Sequence, residues 1–360
     1  MRPRPLPIQQ TGAALLAAML TVTLVATFAA AALWQQWRSV EVETAERARV
    51  QSTWILTGAL DWSRLILRED GRAGGADHLA EPWAVPLNEA RLSAFLAVDK
   101  NASETEREAF LSGQVIDLQG KLNVNNLIEG NSLSATALAS FSRLFELLGL
   151  PKEQLLTLAS SLLEAVRDPV PSGAGAAPNP SATTATPVST GASAPAPINN
   201  TPAPVTAPMV TALSPLMPER VEQLAWLGLP RETLAVLMPY ITLLPQRTAV
   251  NLNTASAEVI YASTPGLDMA NAQRLVAARD RKHFSTLAEA NQQMGGTEGK
   301  FNDAQHAVAT RFFEVTGQLR LDQTLVQERS VLQRDGLQVR TLWRDRGVVI
   351  SPPPATGARP

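Results

Sequence analysis

The chain has no cysteine, only 3 histidines and 2 tyrosines, and almost no net charge, −2 at pH 7 over 360 residues. Each shortage closes a class of function. Without a thiol there is no disulfide framework and no thiolate metal site. A nearly neutral balance provides no general field for binding polyanions. His78, His283 and His306 are widely separated and none belongs to an HxxxH or HExxH pattern, so a histidine zinc site is not expected. No GxSxG elbow, Walker loop or dinucleotide fingerprint occurs. The carboxylates are spread as helix-surface charges. No catalytic residue and no enzyme activity are expected.

What is present is concentrated at the N-terminus. A short basic leader carrying Arg2 and Arg4 ends at Gly12, and from Ala13 to Trp34 the chain runs without a charge. A type I signal peptide has its cleavage site after the apolar region; here the candidate scission point, between Gly12 and Ala13, lies before it. The segment Ala13 to Leu33 is long enough to cross a bilayer core, which takes about 20 residues. Ala13, Leu16, Leu20, Leu24, Phe28 and Leu33 mark this expected membrane helix. The two arginines hold the leader in the cytoplasm by the positive-inside bias. Trp34 and Trp37 stand where aromatic rings meet the far interface. The competing readings are a secretory signal peptide cut within Ala29 to Ala32 and a plain single-span anchor.

Further along, helical spacing continues without Gly or Pro from Gln35 to about Thr57. Leu56, Ala59 and Leu60, with Trp62 and Ile66, predict one face packed on a domain. The expected organisation is a leader at 1–12, an N-terminal helix at 13–70 with its membrane part at 13–34, and a connection at 71–87. A first helical part follows at 88–167. Residues 168–218, rich in Pro, Ala and Thr and nearly uncharged, read as a linker unable to offset its ordering entropy. A second helical part spans 219–309, C-terminal strands 310–350, and a tail 351–360. Within the strands, Asp335-Gly336 is a two-residue hairpin signal.

Two segments carry motif-like chemistry. Val250 to Ala290 reads as two helices around a Pro265-Gly266 turn, with Asn253 or Thr254 capping the first and the second over Ala270 to Arg279. This resembles a helix-hairpin-helix unit, which grips phosphates through hairpin N–H groups and a helix N-terminus. The hairpin here is Gly266-Leu267-Asp268, however, and Arg274, Arg279, Arg281 and Lys282 are interleaved with Asp280 and Glu289. A nucleic-acid partner is therefore not expected, and a membrane-anchored DNA-uptake protein using 250–290 is kept as the alternative. In Asp117 to Asn131, the residues Asp117, Asn123, Asn125, Asn126, Glu129 and Asn131 supply hard oxygen donors for calcium, without EF-hand spacing. Asp303 and Asp322 are further isolated candidates. No metal ligand is assigned.

The leader ending at Gly12, the apolar helix, EPWAVPL (Glu81 to Leu87), DLQGKLNVNNL (Asp117 to Leu127), VNLNTA (Val250 to Ala255), FFEVTGQ and VLQRDGLQVRTLWR together resemble the K-type minor pseudopilins of type II secretion systems. Ala17 stands fifth after the junction, where pilin-like proteins carry a glutamate. The resemblance implies an α+β, pilin-like fold, with a long N-terminal helix on a small antiparallel sheet and a large inserted helical domain of two SAM-like parts. It implies cleavage after Gly12 by prepilin peptidase, N-methylation of Ala13, and a single-pass inner-membrane protein with its bulk in the periplasm. It further implies a pseudopilus-tip and assembly-initiating role with I-type and J-type minor pseudopilins and the major pseudopilin, calcium binding, and no organic cofactor.

Overall fold

A computed structural model describes residues 11–92, 109–167, 215–294, 301–321 and 324–349. Arg2 and Arg4, most of the 168–218 linker, Asp322 and the 351–360 tail lie outside the described residues. The chain divides into two compact units, one made of Met1–Ala73, Pro82–Ile116 and Glu314–Pro360, the other of Gly74–Glu81 and Asp117–Phe313.

The first unit is organised by α1 (Thr11–Ala73), 63 residues without a proline. It ends where Gly74 and Gly75 take φ of 66° and 115°, a left-handed backbone that stops the helix at little cost for glycine. Its buried line is Ser52, Leu56, Leu60 and Leu67, spaced so that one face meets the sheet. Leu56 packs with Leu111, Leu319, Leu321 and Val326, flanked by Ala48, Ile55, Ala59 and Ala109. Each such leucine contributes about 1.5–3 kcal/mol on burial. Trp62, expected on this face, is instead 64 % exposed; it lies around the helix from Leu56 and Leu60.

The sheet has five strands in sequence order: β1 (Leu87–Arg91), β2 (Ala109–Asp117), β3 (Phe312–Leu321), β4 (Thr324–Asp335) and β5 (Gln338–Val349). β1 and β2 are antiparallel, with Arg91 opposite Phe110. β4 and β5 form a long hairpin in which Asp335 faces Gln338, and Gly336 in the turn takes φ of 59°. Residues 88–116 were expected in a helical part, yet β1 and β2 belong to the sheet, because β2 is completed by β3 almost two hundred residues later. The C-terminal strands expected over 310–350 are three long ones, β3, β4 and β5.

Two charge arrangements tie the sheet to α1. Glu328, 3 % exposed, receives Arg344 Nε at 2.5 Å and Arg346 Nε at 2.8 Å. The same arginines reach Thr57 and Thr53 of α1, at 3.1 and 2.6 Å. Near the helix end, Arg334 pairs with Asp70, both nearly buried. At Gly71 a Cβ would lie 2.8 Å from the Gly336 carbonyl, so the helix meets the hairpin turn with no room for a side chain.

The second unit, inserted between β2 and β3, has one continuous core drawn from both sides of the linker. Its helices are α2 (Ala135–Leu147), α3 (Lys152–Arg167), α4 (Arg231–Leu237), α5 (Ala257–Ser263), α6 (Met269–Arg281) and α7 (Leu287–Gln293). On α3, Leu155, Leu158, Ala159, Leu162 and Ala165 are buried, a helical stripe. Gly149 (φ 67°) separates α2 from α3. The cap of α5 is Ser256, whose hydroxyl accepts from Val259 N–H, rather than Asn253 or Thr254. Those two side chains are used elsewhere.

Candidate functional site

The functional evidence lies in two places, the free half of α1 and a buried polar lock in the second unit. Every described side chain from Gly12 to Arg47 is exposed. Over this stretch, roughly 50 Å at 1.5 Å per residue, the helix is covered by none of the described residues. Leu16, Leu20 and Phe28 are each 68 % exposed, and Leu24 and Leu33 follow at 51 % and 67 %. The polar side chains within the run satisfy themselves. Thr21, Thr23 and Thr27 donate to the carbonyls of Ala18, Leu20 and Leu24 at 2.9, 2.9 and 2.8 Å, so no hydroxyl is left unbonded in an apolar surrounding. Charge returns beyond Trp34 and Trp37, with Arg47 paired to Glu43 at 2.8 Å. This is the one described helix long and apolar enough to cross a membrane. Gly12, Ala13 and Ala17 lie in its first two turns, exposed.

The lock explains the two asparagine motifs. Leu122-Asn123 pairs in parallel with Ile241-Thr242, and Val250-Asn251 pairs in parallel with His306-Ala307. In each motif the first asparagine folds back on its own chain: Asn123 Oδ1 accepts from Asn125 N–H and Asn251 Oδ1 from Asn253 N–H, both at 3.1 Å. LNVN and VNLN are thus one device used twice. Asn123 donates to the Gln246 carbonyl at 2.7 Å and accepts from Leu244 N–H at 3.1 Å. Asn126 makes a two-way bond with the Thr248 backbone, 2.7 and 3.0 Å.

The motifs meet at Asp117. Its carboxylate accepts from Gln119 N–H at 2.7 Å, Asn251 Nδ2 at 2.9 Å and Thr254 Oγ1 at 2.6 Å. Burial raises the Asp117 carboxyl above its usual range, while the Thr254, Thr310, Asn251 and Gln119 donors pull the other way. Beside it, a Cβ on Gly120 would sit 2.9 Å from Thr254 Oγ1 and 3.2 Å from the Thr254 backbone. Asn251 also donates to the Asp77 carbonyl at 3.1 Å, and Asp77 accepts from Thr310 N–H at 2.6 Å. Asp77 and Gln119 were not singled out from sequence. Only the recurrence of Asn at alternate positions signalled this network.

These bonds bear on the fit of calcium in 117–131. The Asp117, Asn123 and Asn126 side-chain oxygens face N–H or O–H donors, a setting that does not suit a cation. Glu129 pairs with Arg247 at 3.1 Å on the surface, and the Asn131 backbone carbonyl accepts from Arg167 at 2.6 Å.

The helix-hairpin-helix reading is corrected in detail. Asp268 caps α6, its carboxylate accepting from Asn271 N–H at 2.6 Å, so it takes up the helix-terminal donor a phosphate would need. α6 runs Met269–Arg281, longer than expected. Arg279 points inward, 8 % exposed, and donates to the Leu252 carbonyl at 2.6 Å and to that of Ala255 at 2.5 Å; burial lowers its pKa. The sequence-distant histidines are also brought together: His78 and His283 stack with ring centroids 3.8 Å apart. His306 is buried beside two hydroxyls, Thr264 at 3.1 Å and Ser263 at 3.2 Å. Its Nδ1 faces the Asn302 N–H at 3.4 Å.

Comparison with known proteins gives a consistent picture. Sequence models of the family described as type II secretion system (T2SS), protein K match residues 120–246 and 250–310, together just over half of the chain. The type II secretion system protein K of Pseudomonas aeruginosa is 26 % identical over 359 residues, covering 97 % of this chain and 96 % of that protein. A chain in the crystal structure of the GspK-GspI-GspJ complex from the enterotoxigenic Escherichia coli type 2 secretion system has a similar fold, with a TM-score of 0.53 at 16 % identity. The match spans 84 % of this chain and 98 % of that one.

Proposed function

This chain belongs to the type II secretion system protein K family, and we propose that, as a minor pseudopilin, it caps the pseudopilus tip and starts pseudopilus assembly. The observation that carries this reading is the free half of α1. The exposed apolar run from Ala13 to Trp37 needs a partner, first the bilayer and then other helices. In this reading prepilin peptidase cuts between Gly12 and Ala13, Ala13 is methylated, and the folded bulk lies in the periplasm. The partners are the I-type and J-type minor pseudopilins, with the major pseudopilin below.

Two features support a place at the end of a filament. In a pilin-like bundle the glutamate at the position of Ala17 would pair with a neighbouring subunit's N-terminal amine. An unpaired charge in that low-dielectric setting is costly, and a terminal subunit has no neighbour above to supply the partner. The large unit inserted between β2 and β3 would likewise obstruct a further subunit. The role is structural: the lock holds its polar atoms in internal bonds rather than presenting them for reaction.

The deciding measurement is the N-terminal mass of the mature protein. A chain beginning with methylated Ala13 is expected. One beginning near Ala32 or Leu33 removes the basis of the reading. Ala17→Glu in a secreting strain tests tip placement, with reduced secretion and poorer extraction of the tip complex expected. Calcium enters by family resemblance, at a site proposed to lie outside 117–131. A calcium-dependent rise in melting temperature that survives Asn126→Ala is expected; its loss in that variant would return the site to this segment.

A further inference from the structure

Three arginines lie on α1 between Ala13 and Val50, and they are not used alike. Arg47 pairs with Glu43 at 2.8 Å and Arg49 with Glu46 at 3.8 Å. Arg38 pairs with no carboxylate among the described residues; its guanidinium instead lies over the Trp34 ring, 5.8 Å from the centroid. Four residues apart, the two side chains share one face of the helix, and Trp37 stands beside them. Trp34 and Trp37 are 61 % and 63 % exposed, and Arg38 is exposed as well. Among the described residues no acceptor meets the N–H donors of Arg38. A planar fork of donors held over an exposed indole is a seat for an oxyanion.

The position along the axis says what brings that oxyanion. From Ala13 to Trp34 the uncharged run covers roughly 30 Å, the thickness of a bilayer's hydrocarbon core. Arg38 is one turn further, about 6 Å on, at the depth of the headgroup layer. We propose that Trp34, Trp37 and Arg38 form a seat for the phosphate of an anionic phospholipid in the leaflet facing the folded body. The inference rests on the reading of α1 as a membrane-spanning helix, and it adds the lipid chemistry that this end of the span selects. The indoles take the boundary between hydrocarbon and headgroups, where an apolar ring with one N–H donor is best placed. The guanidinium, turned back over Trp34, meets the phosphate with two parallel N–H···O bonds. Glu41, the next charge, lies further toward water and does not pair with Arg38. A carboxylate on another protein would satisfy the guanidinium too, but it gives no reason for two tryptophans at the boundary depth.

The test uses full-length protein in nonionic detergent. Because the chain has no cysteine, Ser39→Cys admits a single environment-sensitive dye beside the seat. Its emission is followed as phosphatidylglycerol or phosphatidylcholine is titrated in. Phosphatidylglycerol should bind about fivefold more tightly, the preference that one arginine near an anionic surface supplies. Arg38→Gln should abolish that preference and Trp34→Ala should reduce it. Both side chains are exposed, so the melting temperature should not move in either variant. A preference unchanged in Arg38→Gln overturns the proposal. So does full competition by inorganic phosphate at equal concentration, which would assign the seat to the free ion. Loss of co-purification with the I-type and J-type minor pseudopilins in Arg38→Gln, with the lipid preference intact, would give Arg38 to a protein carboxylate instead. Flotation with vesicles separates the underlying reading: a wild-type chain that does not float with them removes α1 as a membrane helix.

Discussion

The Asn253 side chain bonds the backbone of Phe284 twice, accepting from its N–H at 2.9 Å and donating to its carbonyl at 2.9 Å. A side-chain amide thereby replaces a strand partner, stitching the end of α6 to the VNLN turn. Asn253→Asp keeps the shape but removes the donor and places a charge where 2 % of the residue is exposed. A loss of about 2–3 kcal/mol is expected, read as a lower urea midpoint by tryptophan fluorescence. An unchanged midpoint would show that the pairing carries no stability.

Gly120→Ala tests the contact between the two asparagine motifs. Its Cβ would meet Thr254 Oγ1 at 2.9 Å and the Thr254 backbone, which cannot swing aside, at 3.2 Å. A loss of about 1–3 kcal/mol is expected from overpacking. Gly58→Ala should shift stability the other way by up to about 1 kcal/mol, and thermal melting of the two variants side by side is the check.

Acid should weaken the second unit through His306. Burial lowers its pKa from 6.5 to about 4, with a backbone hydrogen bond to Asn302 opposing that shift. The unfolded chain therefore binds a proton below pH 6.5 that the folded chain refuses until about pH 4. Stability from this residue is complete above the unfolded value and declines as the pH falls through that window, by roughly 3 kcal/mol in all. The raised Asp117 carboxyl acts in the opposite sense, so the comparison must isolate the histidine. Unfolding midpoints at pH 7.5 and 4.5 should differ less in His306→Gln than in wild type; equal differences would count against this assignment.

Glu328→Gln removes the carboxylate between Arg344 and Arg346 while keeping the side-chain volume. Two guanidinium groups then face each other beside a 3 % exposed residue. A loss of about 3–5 kcal/mol is expected, and calorimetric melting would reveal it. A variant as stable as wild type would place the arginines' worth in Thr53 and Thr57 alone.

Local signals were legible and distant ones were not. The α1 helix, the Gly149 stop and the Asp335-Gly336 hairpin follow from spacing and turn chemistry within a few residues. β1 and β2 were hidden because strand identity there is conferred by β3, far along the chain. Trp62 was misplaced because apolar residues three and four apart do not say which side of a long helix finds a partner. The network the asparagine motifs build was not legible, because oxygen-rich turns read alike in sequence until their hydrogen-bond partners are known. His78 meets His283 only through the fold.

The insertion between β2 and β3 also sets an order in time. Three of the five strands, and with them Leu319, Leu321 and Val326 that cover Leu56, come from the last fifty residues. The N-terminal helix can be made, threaded into a bilayer and held there while its docking face on the sheet side is still bare. Only when the ribosome has delivered the C-terminus can the sheet close and cover it. A chain truncated before β3 would lack Leu319, Leu321 and Val326 and leave the Leu56 face of the helix largely uncovered.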